Sequence, residues 1–336
     1  MSDCEIAIVG CGGIANAYAA ALARIPGARL RAIVDPDGDA RAKLLGDSKG
    51  EVTSCADLTE MPRVDAALVL APPYVQESLS CELLARGMHV LCEKPLAPTV
   101  AAATRMLTCA KESDRRLMMG SKFRFTPDVT AARALLDEEV CGDIILYENV
   151  FCSHVDMTKR WNAQPAISGG GVLIDNGCHS VDLARYLLGP LARVQTQFGA
   201  RVQPLEVEDT ARMLFQSTSG ALGSIDLSWS IHKETDAYVR IHGTRGTLEI
   251  GWRGSRYKPS DGAWRDFGSG YDKITAFQNQ LENFVAAVQG KDDPVIDDTD
   301  AMASVLVIDC AYRSAAEERW ITVPAPAVHS AQSTPR

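Results

Sequence analysis

No stretch of this 336-residue chain reaches the ~20 consecutive apolar residues that a membrane helix needs. The opening run MSDCEIAIVGCGG lacks the basic region and long apolar core of a signal peptide, so the expectation is a cytoplasmic protein with no membrane partner. There is no excess of positive charge either. Against 43 Asp and Glu stand 34 Lys and Arg, a formal charge of -9 without blocks, which argues against nucleic acid as a partner. The ten cysteines include no CxxC pair and no Cys/His cluster at zinc-binding spacing, so no metal site is expected. They read as reduced, mostly buried small residues, with Cys92 and Cys178 as neighbours of the chemistry and not nucleophiles.

What is present is an ordinary globular composition, 46% hydrophobic and 23% charged, long enough for two domains that each bury a core. The first third alternates apolar strand-like runs (5–9, 29–34, 66–70, 89–92, 117–120) with helical stretches (14–24, 36–45, 74–86, 99–112). That is the pattern of a parallel sheet covered on both faces. After residue 123 a helix at 127–138 leads into runs with period two at 144–152, 194–202, 211–217, 221–231, 238–242 and 247–252. Two helices, 273–289 and 297–318, follow, the last a candidate to pack back on the first domain. The predicted architecture is an α/β Rossmann domain (1–122), an α+β domain with a large, mainly antiparallel open-faced sheet (123–324) and a disordered tail rich in Pro, Ala and Ser (325–336). A sheet open on one face predicts a homodimer or homotetramer built on that face.

Gly10-Cys11-Gly12-Gly13-Ile14-Ala15 stands where the first strand ends and the first helix begins. Gly10 permits a tight turn, Gly12 lets a pyrophosphate approach the backbone, and the small third position allows close helix packing. Asp35 ends the second strand, near the spacing expected of a carboxylate that binds the adenosine ribose. Asp35 would repel a 2'-phosphate, so NAD is favoured, with NADP left open by the nearby Arg41.

Further on, Glu93-Lys94-Pro95 closes another strand at the sheet edge where such folds bind ligands. Gly169-Gly170-Gly171 is followed by Asp175-x-Gly177-x-His179-x-x-Asp182, and helical spacing sets Asp175, His179, Asp182 and Tyr186 on one stripe. The stripe could be the wet face of an amphipathic helix. It carries no Lys or Glu, however, and Gly177 costs about 1 kcal/mol inside a helix unless another surface comes close.

Together these motifs resemble the glucose-fructose oxidoreductase / inositol dehydrogenase / rhizopine-catabolism (Gfo/Idh/MocA) family over nearly the whole chain. The resemblance implies hydride transfer between nicotinamide C4 and a secondary hydroxyl or ketone of a sugar, sugar derivative or cyclitol. Lys94, Asp175 and His179 are the implied catalytic set, with either His179 or Lys94 carrying the proton. Gly10, Gly12, Gly13, Ile14, Asp35, Ala71, Pro72, Glu93 and Lys94 are the implied cofactor contacts. On the substrate side, Lys94, Asp175 and His179 are joined by Arg124, Trp161 and Asn162, since aromatic and amide groups suit sugar rings. Lys122, Arg124 and Arg160 hint at a phosphate, carboxylate or nucleotide on the substrate. His154, His232 and His242 read as ordinary satisfied histidines near strands. Gln76 and Lys122-Phe123 depart from the family's usual residues, which leaves substrate identity open. The competing readings are an NAD-dependent redox-neutral glycosidase and a non-catalytic dinucleotide-binding regulator, disfavoured by intact Lys94, Asp175 and His179.

Overall fold

The computed structural model describes residues 3–46, 52–233 and 235–326. From residue 327 onward, the predicted disordered tail lies outside the described residues. Six strands, β1 (Cys4–Val9), β2 (Ala28–Val34), β3 (Thr53–Cys55), β4 (Ala66–Val69), β5 (His89–Glu93) and β6 (Leu117–Gly120), form one sheet in the order β3-β2-β1-β4-β5-β6. Every neighbouring pair is parallel. Covering both faces buries the apolar runs of β1 and β4 almost completely. The short strand β3 was not anticipated from the sequence.

Helices α1 (Ala15–Leu22), α2 (Gly38–Leu45), α3 (Pro73–Ala85) and α4 (Val100–Glu112) connect the strands. Their starts follow local chemistry: the Asp37 carboxylate accepts from Asp39 N and Ala40 N, Pro73 opens α3, and Thr99 accepts from Ala102 N. Past the ends of α1 and α3, Gly27 and Gly87 take positive φ. One expectation is corrected here. Cys81 of α3 and Cys109 of α4 form a disulfide, so not every cysteine is reduced. The two helices pack together, bringing Cα atoms 28 residues apart in sequence to 5.5 Å, which no local cysteine spacing announces.

Beyond α5 (Pro127–Asp137), β7 (Ile144–Cys152), α6 (Pro165–Ser168) and α7 (Val172–Leu188) come β8 (Leu191–Phe198), β9 (Thr210–Ser217) and β10 (Leu222–Ser228). They are followed by β11 (Ala237–Gly243), β12 (Gly246–Gly251), β13 (Ser255–Pro259), β14 (Arg265–Gly268), α8 (Lys273–Val288), α9 (Asp298–Glu317) and β15 (Ile321–Thr322). The nine strands form a second sheet, β14-β13-β12-β11-β7-β10-β9-β8-β15. It is antiparallel except where β10 returns beside β7. Short and polar, β13 and β14 gave no apolar alternation to read.

Period two sorts this sheet's faces. On β9, Ala211, Met213 and Phe215 are buried beneath α7, while Arg212 and Leu214 turn outward. The outward face carries exposed Leu146, Leu214 and Leu222, with Leu146 and Leu222 paired in register. It was α9 that the sequence marked to pack back on the first domain, but α8 does so more fully. Phe277, Leu281, Phe284 and Val285 of α8 join the core of the parallel sheet. Helix α9 divides: Met302 and Val305 join that core, Val307, Ile308 and Ala311 the other.

Beneath the junction lies a cluster of buried charge. Arg124, 3% exposed, donates from Nε to Asp182 Oδ1 at 2.8 Å and from Nη1 to Asp300 Oδ2 at 2.6 Å. Ser121 Oγ donates to Asp182 Oδ2 at 2.8 Å, and Arg185 reaches Asp300 at 3.1 Å. Breaking such a pair strands a charge in a dry site. Arg124→Leu is therefore expected to lower unfolding free energy by about 3–5 kcal/mol, read from urea titration. An unchanged midpoint would show that water reaches Asp182.

Candidate active site

The glycine turn meets its structural requirements. Gly10 has φ of +100°, and a Cβ there would lie 2.8 Å from Ala71 N, so only glycine lets β1 end against the Ala71-Pro72 turn. At Gly12 and Gly13 an added Cβ meets nothing within 4 Å, which leaves exposed backbone before α1. Asp35 is fixed beside that opening: Oδ2 accepts from Cys11 N at 2.7 Å and Oδ1 from Asp37 N at 2.8 Å. Arg41 is turned away from the Asp35 carboxylate, donating to Asp35 O and to Ser54 Oγ. Open backbone at a helix start, with a carboxylate held alongside, fits the phosphates and ribose of a dinucleotide.

At the C-terminal end of β5, Glu93 is held from two sides. Tyr18 donates its hydroxyl to Oε1 at 2.7 Å, and Lys94 N donates to Oε2 at 2.9 Å. Gln280 of α8 donates to the same Tyr18 oxygen at 2.9 Å. Gln76, the departure noted in the sequence, donates to Ala71 O and Glu93 O, tying the Pro72 turn to the end of β5.

The Lys94 ammonium donates to Asp175 Oδ1 at 2.7 Å and to Asp175 O at 2.9 Å. Burial opposes its charge, but attraction to Asp175 and Glu93 outweighs burial, so its pKa lies above the usual lysine value. His179, one turn further along α7, is 7% exposed and packs edge-on against Phe123 at 4.9 Å between ring centres. Burial first, then the charges of Lys122 and Lys94, holds its pKa well below 6.5. Nδ1 is enclosed without a hydrogen-bond partner, which leaves Nε2 as the nitrogen with access to the cavity. Lys94 is thus a fixed ammonium and His179 a neutral imidazole at neutral pH.

Backbone contacts aim α7. Glu208 Oε1 accepts from Gly171 N and Leu173 N, each at 3.0 Å, and from the Tyr312 hydroxyl at 2.7 Å. Gly177 lets another surface come close, since a Cβ there would meet Leu227 at 3.1 Å and Ile308 at 3.4 Å. The stripe is no wet face: Asp182 is fully buried and Tyr186 lies under the Arg124 guanidinium.

Lys94, Glu93, Ile14, Asp175 and His179 share the wall of a cavity of about 1230 Å³. Arg124, read as a substrate contact, lies elsewhere, consumed by Asp182 and Asp300. Trp161 and Asn162 do not line the cavity either; Trp161 is 40% exposed, and its neighbour Arg160 is on the wall instead. Missed from sequence were the aromatic lining from Phe151 and Trp252 and the charged outer wall of Lys233, Asp236, Glu249 and Arg253. Only the register of β7, β11 and β12 brings these together, although the unusual Phe123 was a clue. Cys92 and Cys178 are pushed up to about 12 by burial and remain thiols. His242 bonds Thr247 Oγ1 as expected, whereas His154 and His232 are exposed and stack on each other at 5.1 Å.

Comparison with known proteins agrees with this arrangement. Residues 4–121 match the oxidoreductase family model with an NAD-binding Rossmann fold, and residues 129–249 match the Gfo/Idh/MocA C-terminal domain. The chain belongs to the Gfo/Idh/MocA oxidoreductases and is an NAD-dependent dehydrogenase of that family. It is 26% identical to the rhizopine catabolism protein MocA of Rhizobium meliloti, over 93% of this chain and 95% of that protein. To the myo-inositol 2-dehydrogenase of Thermotoga maritima it is 27% identical, over 94% and 98%. A levoglucosan dehydrogenase solved in complex with NADH shares the fold at a TM-score of 0.90 and 21% identity, covering 97% of this chain and 100% of that one.

Asp35 generates a test of cofactor choice. Asp35→Ser is expected to weaken NADH binding about tenfold or more and to narrow the preference over NADPH, measured by fluorescence titration. Unaltered affinities for both would remove Asp35 from the ribose site.

Proposed function

We propose that the chain moves a hydride between NAD and a secondary hydroxyl or ketone of a sugar, sugar derivative or cyclitol. The observation that carries this reading is the Lys94 ammonium, 2.7 Å from Asp175 Oδ1 and on one cavity wall with neutral His179. Gly10, Gly12, Gly13, Ile14, Asp35, Ala71, Pro72 and Glu93 would hold NAD, which would supply the hydride acceptor when bound. Lys94, kept charged by Asp175, donates a hydrogen bond to the reacting oxygen and stabilises the charge that develops there. His179 takes the hydroxyl proton at Nε2, because Lys94 has no free pair at neutral pH. In the reducing direction His179 returns that proton. Asp175 positions Lys94. Relatives of this chain named myo-inositol 2-dehydrogenase and levoglucosan dehydrogenase support the substrate class.

The domains run 1–122 and 123–324 on this reading, with α8 serving the core of the first. We place the protein in the cytoplasm; no helix of the described residues is long and apolar enough to cross a membrane. The uncovered sheet face with Leu146, Leu214 and Leu222 is assigned to a homodimer or homotetramer contact. Light scattering of wild type against Leu214→Glu tests this: the variant is expected at lower mass, and a monomeric wild type sinks the assignment.

Absorbance at about 340 nm with NAD over inositols, sugars, sugar acids and sugar phosphates tests the reaction. His179→Ala and Lys94→Met are each expected to lose about 100-fold or more in kcat/KM. Protonation disables His179 only below its depressed pKa, so log kcat/KM should stay level through pH 6.5 and fall well below it. An acid limb at 6.5 or above, or one that persists in His179→Ala, would assign the base elsewhere.

A further inference from the structure

Of the three basic residues that hinted at an anionic substrate, Arg124 is spent in the buried cluster. Three cations on the cavity wall have no carboxylate oxygen within 4.0 Å among the described residues: Lys122, Arg160 and Arg253. Arg160 and Arg253 are exposed and solvated, whereas Lys122 is half-buried. By contrast Lys233 and Arg256, on the same wall, are matched by Asp226 and Glu249.

Lys122 begins the turn after β6, with Nζ 5.0 Å from the centre of the Phe123 ring and 5.5 Å from that of Phe277. Ring faces offset only part of the cost of drying an ammonium. The carboxylates near enough to help are already engaged, Glu93 by Tyr18 and Lys94 N, and Asp175 by the Lys94 ammonium. Around Lys122 stand Glu93 and Lys94 from the end of β5, Asp175 and His179 from α7, and Lys273 from α8. Burial dominates that balance and lowers its pKa to about 8. Lys122 lines the cavity that holds Lys94 and His179, a wall that carries Ile14 and Glu93 from the cofactor side but none of Gly10, Gly12 and Gly13.

We propose that Lys122 is a specificity-determining residue that binds a carboxylate or phosphate of the substrate, so that this dehydrogenase acts on an anionic polyol. A neutral cyclitol leaves the ammonium without a counter-charge in a half-dry site; an anion completes it. This rests on the sugar- or cyclitol-dehydrogenase reading above.

The experiment compares neutral hexoses with their aldonates, uronates and 6-phosphates, and inositols with their monophosphates, using NAD and the wild-type chain, Lys122→Met and Lys122→Arg. NADH affinity is measured in parallel by fluorescence. Expected is a best substrate that is anionic, with carboxylates and phosphates compared directly to separate the two sources. For it, Lys122→Met should raise KM at least about 30-fold, with a smaller change in kcat and in NADH affinity. Lys122→Arg should restore most of the loss. With wild type, KM should rise as pH passes about 8 and the ammonium is lost, a limb absent from Lys122→Arg. A neutral substrate used as well as its anionic counterpart overturns the anchor while leaving the dehydrogenase reading intact. An equal loss of NADH affinity in Lys122→Met assigns the lysine to the cofactor and also overturns it. No turnover across the panel in a protein that binds NADH overturns both readings.

Discussion

Arg124 and Asp182 face each other where water is nearly absent, and the geometry of the cleft depends on their remaining so. The guanidinium comes from the turn after β6, its two carboxylate partners from α7 and α9. A buried charge tolerates few positions for its partner, because a small displacement loses attraction and leaves the desolvation cost in place. The pair therefore fixes the register of α7 against the parallel sheet. His179 precedes Asp182 by three residues and Asp175 precedes His179 by four, so fixing the first places the others at the end of β5. At the other end of the helix, Glu208 holds the first amides of α7 and limits motion along its axis.

That placement separates the two basic groups of the cleft by environment. Lys94 is half-buried and His179 buried, and burial acts against the charged form of each. Asp175 lies against one and not the other, so Lys94 keeps its proton and His179 gives its proton up. Two bases with pKa values pushed apart can take different roles at one pH, one holding an oxygen and the other moving a proton. The charges of Lys122 and Lys94 also help keep His179 neutral, which links the charge of Lys122 to the chemistry beside it.

Residues tied to a local backbone event were legible in the sequence. Gly10 and Asp35 sit at the ends of adjacent strands, Lys94 directly follows another, and Asp175 and His179 share a helical face. Each of these positions follows from a period of two or 3.6. Arg124 was misread because an arginine looks the same whether its partner is a ligand or a residue far along the chain. Its partners are 58 and 176 residues away. The Cys81–Cys109 bond was hidden for the same reason, since it depends on how α3 packs on α4. The charged outer wall was hidden by strand order: β10 returns parallel to β7, and β11 lies on the other side of β7. No local pattern carries that arrangement.

Strand order also explains why class and substrate are written in different parts of the chain. Along β7 the inward residues Tyr147 and Asn149 are buried, while Leu146 and Glu148 face outward, and only the strand's end reaches the cavity. The ends of β11 and β12 do the same with Asp236 and Trp252. Substitutions at the exposed Asp236 and Arg253 change the outer wall without touching the alternation that holds the sheet together, because these side chains lie outside the core. Lys94, Asp175 and His179 have no such freedom: each is bound to the junction through the end of β5 or the register of α7. On the proposed reading the motifs carry the reaction, and the strand ends, with Lys122 beside them, select what reacts.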